Sequence, residues 1–216
     1  MRNFSHECRP PHPQRLNRTR GHSRRRAALT TVGAAVAALV LSACGSGGTA
    51  GGSGNTNFIT GKDGIATVKK GERAAAPDLS GTTIDGKQLD VAGYKGKVVV
   101  INVWGSWCPP CRAEASNFVK VAKDMEGKGV QFVGINTRDT STQPARAFEK
   151  QYGVTYPSLY DPTGKLMLRF DKGTLNPQAI PSTLVIDREG KIAARTLQAL
   201  SEEKLRGMLA PVVAEK

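Results

Sequence analysis

Residues Lys97 to Trp104, KVVVINVW, form a continuous apolar, β-branched run. A strand with no polar face must be covered on both sides, so this run belongs at the centre of a sheet. Directly after it comes GSWCPPC, and then Cys108 to Glu126 with helical spacing, Ala115, Phe118, Val119 and Ala122 sharing one face. Val130 to Asn136 reads as a second buried strand, and Pro144 to Tyr152 as a helix stopped by Gly153. Leu166 to Phe170 adds a helical turn. Thr183 to Asp187 and Lys191 to Thr196 are strands joined by a turn at Glu189-Gly190. Ser201 caps a last helix with Glu202 and Glu203 in its first turn. Upstream, Thr82 to Leu89 is a hairpin turning at Asp85-Gly86. The expected order is β-α-β-α-β-β-α behind an N-terminal hairpin. The first two strands are parallel across a helical crossover, and the closing pair is antiparallel. This is an α/β fold, a mixed sheet flanked by helices.

The N-terminal part is read as targeting rather than fold. Met1 to Arg26 holds eight arginines and a single acid, Glu7. Ala27 to Val40 is apolar and Ala-rich, too short to span a bilayer but suited to a signal-peptide core. Leu41-Ser42-Ala43-Cys44 follows and resembles the bacterial lipobox, so Cys44 is the expected lipidation site and 1–43 the cleaved lipoprotein signal. An ordinary export signal is the alternative, and Ser23 to Arg26 also permits twin-arginine export. Residues 44–57, mostly Gly, Ser, Thr and Asn, form an expected tether with a reach of roughly 20 Å. Residues 58–76 are an arm, with Ile59, Ile65 and Val68 as possible strand residues, and the compact domain is expected over 77–216.

Cleavage changes the charge. The whole chain carries +13; without 1–43 there remain 23 basic and 17 acidic residues, a net +6. That excess suits solubility or an anionic membrane surface. No basic stripe interleaved with aromatics argues for nucleic acid. His6, His12 and His22 are the only histidines and all fall in the leader. Histidine-based catalysis and histidine-ligated metal sites are thereby excluded from the mature chain.

Cys108 and Cys111 are the only cysteines beyond Cys44. A C-x-x-C after a buried strand, opening a helix, has the placement of a redox dithiol. The helix N-terminus offers free N–H groups and partial positive charge to a thiolate. Cys108, at the mouth, is the expected nucleophile; Cys111, one turn in, is the resolving thiol. Pro109 and Pro110 fit a first helical turn, where N–H donors are spare, and stiffen the loop. Trp107 is expected to flank the sulfurs. A zinc site lacks further ligands, so no metal and no cofactor is expected. A purely structural disulfide would close too short a loop to constrain the unfolded chain much.

With WCPPC, the strand before it and Ile180-Pro181-Ser182-Thr183 ahead of a later strand, the chain resembles the thioredoxin fold. The resemblance implies a cis Pro181 facing the dithiol, with the Ile180 backbone placed to pair with an extended substrate. APDLSG (Ala76 to Gly81), the DGK hairpin and NVWGSWCPPCRAE narrow the likeness to the TlpA/ResA-like thiol–disulfide oxidoreductases of the redoxin branch, over roughly Ala76 to Val213. Asn102 stands where thioredoxin has a buried aspartate, and Glu114 matches the acidic residue of the TlpA/ResA-like group. That match implies a role for Glu114 in tuning thiol pKa values or taking a proton from Cys111. Ser116 stands where a kinking proline is common in that group.

The resemblance implies a membrane-anchored, extracytoplasmic enzyme acting on protein thiols and disulfides. It would serve as a reductant in cytochrome c maturation, recharged by a membrane electron partner. An envelope disulfide oxidase of the DsbE-like kind is the alternative direction. Two non-catalytic readings fit less well. A copper metallochaperone needs a histidine and wider cysteine spacing, and a solute-binding lipoprotein is usually larger and two-lobed.

Overall fold

The computed structural model describes residues 56–215. The expected signal 1–43, Cys44 and nearly all of the tether lie outside the described residues. Nine strands run in chain order as β1 (Ile59–Thr60), β2 (Ile65–Thr67), β3 (Ser80–Thr82), β4 (Gln88–Asp90), β5 (Val98–Trp104), β6 (Val130–Thr137), β7 (Ser158–Asp161), β8 (Ser182–Ile186) and β9 (Ile192–Thr196). The helices are α1 (Pro109–Met125), α2 (Thr142–Tyr152) and α3 (Glu202–Ala214). Seven strands make one mixed sheet in the order β1-β2-β9-β8-β5-β6-β7, and β3-β4 form a separate hairpin. β5 pairs parallel with β6 and antiparallel with β8.

The central position expected of KVVVINVW is observed: every residue of β5 is buried. The pleat sends alternate side chains to opposite faces. Val98 and Val100 pack with Phe118 and Val121 of α1 and with Leu205 and Leu209 of α3. Val99, Ile101 and Val103 join a second cluster with Leu79, Val91, Met167 and Phe170. One face of the sheet is thus closed by helices. The other is closed by the hairpin region and a 3-10 turn at Met167–Arg169. By the same parity Asn102 and Trp104 face the helical side. Trp104 stacks on Phe148 of α2 at a centroid distance of 4.3 Å.

Two expectations need correction, and one that was open, the state of the arm, is decided. β7 was absent from the expected order; SLYD is short and half polar, and it holds its place as an edge strand through parallel pairing with β6. The arm contributes two strands, with β2 pairing antiparallel to β9. On α1 the buried face runs through Cys111, Glu114, Ala115, Phe118 and Val121. Val119 sits on its flank, half-buried, because with Phe118 turned to the core its chain neighbour is rotated about 100° around the helix.

Candidate active site

The site lies where β5 ends and α1 begins. Cys108 is the N-cap of α1, with extended backbone angles, and its Sγ accepts from the Cys111 N–H at 3.3 Å. A sulfur here meets the unpaired N–H groups of the first turn, and Pro109 and Pro110 occupy that turn without wasting donors. Cys108 and Cys111 form a disulfide with their Cα atoms 5.3 Å apart. Both are nearly closed off, at 2% and 1% exposure. Cys108 was expected at the mouth of the site; in the oxidised site little of it reaches solvent. Ile180 and Pro181 lie in the loop just before β8. The Ile180–Pro181 bond is cis, and the Ile180 carbonyl oxygen lies 3.7 Å from the Cys108 Sγ.

Glu114 sits one turn below the sulfurs, 2% exposed. Its carboxylate accepts from Asn102 Nδ2 and from the Leu200 N–H, each at 2.9 Å. Burial pushes its pKa up to about 7, against the pull of these two bonds. Asn102, placed on the helical face by the β5 pleat, also lies 3.4 Å from Thr183 Oγ1 of β8. A carboxyl poised near neutrality therefore lies buried on the same helix face as Cys111.

Trp107 is 46% exposed, and its indole N–H donates to the Thr137 carbonyl at 3.1 Å. The Arg138 guanidinium stands over its ring, 5.6 Å from the centroid. A further support went unread in the sequence. Asp139, 4% exposed, accepts from the Ser106 N–H at 2.9 Å, from the Ser106 hydroxyl, and from Asn136 Nδ2 at 2.6 Å. It fixes the loop just before the dithiol. The available signal was position: Thr137 to Asp139 end a buried strand that pairs in parallel, an edge at which α/β sheets gather functional groups. Among the described residues no three or more His, Cys, Asp or Glu side chains cluster in a way that could hold a metal ion.

The redoxin family profile matches residues 69–209, which spans the whole of this site. The chain belongs to the redoxin family. This redoxin is 29% identical over 134 residues to the thiol-disulfide oxidoreductase ResA of Bacillus anthracis, covering 62% of this chain and 74% of that one. Among solved structures it resembles a DsbF homologue from Corynebacterium diphtheriae at 33% identity, covering 71% and 96% of the two chains, with a TM-score of 0.65. A secreted thiol-disulfide isomerase from Corynebacterium glutamicum matches at 28% identity, 75% and 99% coverage and a TM-score of 0.67. The fold is thioredoxin-like, and the redoxin is a thiol–disulfide oxidoreductase of the ResA and DsbE type.

Proposed function

We propose that this redoxin works outside the cytoplasm, anchored to the membrane through a lipid on Cys44, and reduces protein disulfides, with apocytochrome c as the substrate. The observation that carries the chemistry is the Cys108 sulfur at the N-terminus of α1, 3.7 Å from the carbonyl that precedes cis Pro181. In the reduced protein the Cys108 thiolate attacks one sulfur of a substrate disulfide. A Cys108–substrate disulfide forms, and the other substrate sulfur leaves as a thiolate that takes up a proton. The Cys111 thiolate then attacks Cys108 Sγ, closing the Cys108–Cys111 bond and releasing the second substrate thiolate. Two electrons pass to the substrate, and a membrane electron donor restores the dithiol.

Trp107, Ile180 and Pro181 bind the substrate segment beside the sulfurs, and Pro109 and Pro110 set the stiffness of the redox loop. Glu114, held near neutrality, takes the Cys111 proton as the resolving thiolate forms. The domain plan belongs to the same proposal: signal 1–43, tether 44–57, arm 58–76, thioredoxin-like domain 77–216. Among the described residues no helix is long and apolar enough to cross a membrane.

Two measurements test this. Cys111→Ser should trap a mixed disulfide on Cys108 whose partner is an apocytochrome; trapping nothing in an envelope extract refutes the substrate. Cys44→Ala should release the protein from the membrane fraction. The opposite direction, an envelope disulfide oxidase of the DsbE-like kind, has in its favour the likeness to a secreted Mycobacterium tuberculosis disulfide oxidoreductase homologous to DsbE. A midpoint potential near about −120 mV selects that reading, and one well below about −200 mV selects the reductant.

A further inference from the structure

Two arginines, Arg112 and Arg138, touch the segment that leads into the dithiol. Arg112 donates to the Ser106 carbonyl at 3.1 Å and to Gln151 Oε1 at 3.5 Å. Arg138 covers the Trp107 ring and donates to the Pro177 carbonyl and, at 3.4 Å, to Gln178 Oε1. Both are exposed, and every one of these acceptors is neutral. Neutral acceptors fix a guanidinium in place without cancelling its charge. Arg73 is neutralised by Asp187 and Glu215, Arg169 by Asp78, and Arg206 by Asp124 and Glu202, whereas Arg146, Arg188 and Arg195 bond only backbone carbonyls; what sets Arg112 and Arg138 apart is their place against the segment that leads into the dithiol. Among the described residues neither Arg112 nor Arg138 makes an ion pair. The two carboxylates of the site are committed inward, Asp139 to Ser106 and Asn136, Glu114 to Asn102 and Leu200.

The backbone of Arg138 adds a second, independent observation. With φ of 60°, it is the one non-glycine residue with positive φ among the described residues. L side chains seldom adopt this conformation, and such positions cluster at functional sites. Here it brings the Arg138 guanidinium against the Trp107 ring on one side and the loop leading to Ile180 on the other.

We propose that Arg112 and Arg138 form a cationic rim selecting protein substrates that carry Asp or Glu beside the reacting cysteine. The inference rests on the exchange reaction proposed above and adds the substrate class to it. An extended substrate laid along Ile180 presents the side chains flanking its cysteine to this rim, where fixed, unpaired guanidinia meet a carboxylate at little ordering cost.

The test uses the reduced whole chain and three peptides with a central cysteine flanked by Glu, Gln or Lys. Each peptide is joined by a disulfide to 2-mercaptoethanol. The uncharged bis(2-hydroxyethyl) disulfide normalises every variant. The expected kcat/KM order is Glu, then Gln, then Lys, with Glu over Lys by about tenfold at low salt, the scale of two exposed ion pairs. High salt compresses that ratio. The Arg112→Gln/Arg138→Gln double variant should bring it below about threefold, and Arg138→Lys should keep most of what Arg138 contributes. Equal rates on the three peptides, or a ratio unmoved in the double variant, overturn the rim. Failure to reduce the uncharged disulfide overturns the exchange reaction itself, and the rim with it.

Discussion

Glu114→Gln separates burial from chemistry. The wild-type carboxyl is held at about 7 instead of its ordinary 4.5, chiefly by loss of water. At about 1.4 kcal/mol per pH unit, ionising it inside the protein costs roughly 3 kcal/mol more than ionising it in the unfolded chain. The sign follows from proton counting. Below pH 4.5 the group is protonated in both states and contributes no pH dependence. Between 4.5 and about 7 the folded protein keeps a proton that the unfolded chain has released, so stability falls as pH rises. Above 7 the whole cost is present. Glutamine is neutral throughout, and Asn102 can turn its amide to offer an acceptor. At about pH 4.5 the variant should therefore match the wild type or fall about 1 kcal/mol below it, for the imperfect replacement of one acceptor. At about pH 8.5 it should exceed the wild type by about 2 kcal/mol, a rise in Tm of roughly 4–8 °C. Denaturant titrations of both oxidised proteins at the two pH values measure this directly. A difference that does not change with pH would show that Glu114 is not a buried, elevated carboxyl and would refute the reasoning.

Asp139→Ala should cost about 3 kcal/mol in denaturant melts, since it strands the Ser106 N–H and Asn136 Nδ2 in the interior; it should also slow reduction of a small disulfide by loosening the loop before Cys108. Gly134→Ala should cost about 2 kcal/mol or more by the same measurement. Its methyl would fall 2.3 Å from Ser158 Oγ and 2.7 Å from Trp104 Nε1, inside a packed sheet. Arg73→Ala should cost about 3–5 kcal/mol by leaving Asp187 and Glu215 without their shared cation, a pair of bonds 2.9 and 2.6 Å long. Its midpoint potential should stay at the wild-type value, because this cluster joins the arm to the end of α3, away from the sulfurs.

What could be read from the sequence was what short-range chemistry decides. KVVVINVW announces a doubly covered strand through its own side chains, Gly153 ends α2 in the left-handed conformation glycine favours, and the Cys108 and Cys111 sulfurs lie only three residues apart. β7 escaped because SLYD has no signal of its own; its strand state is conferred by β6. The same divide runs through the site. Only the family likeness singles Glu114 out in sequence; its pKa is raised by burial and held back by Asn102, twelve residues away, and by the Leu200 amide, eighty-six away. Part of that was recoverable, since the parity of β5 already sends Asn102 to the face that α1 covers. The Leu200 amide was not, because its place depends on how the segment leading into α3 settles over α1. Desolvation is a property of the assembled fold, so a group whose chemistry depends on it is legible only once the segments that exclude water are in place. The cysteine pair of this redoxin is written locally, and the burial of the carboxyl beside it is written at long range.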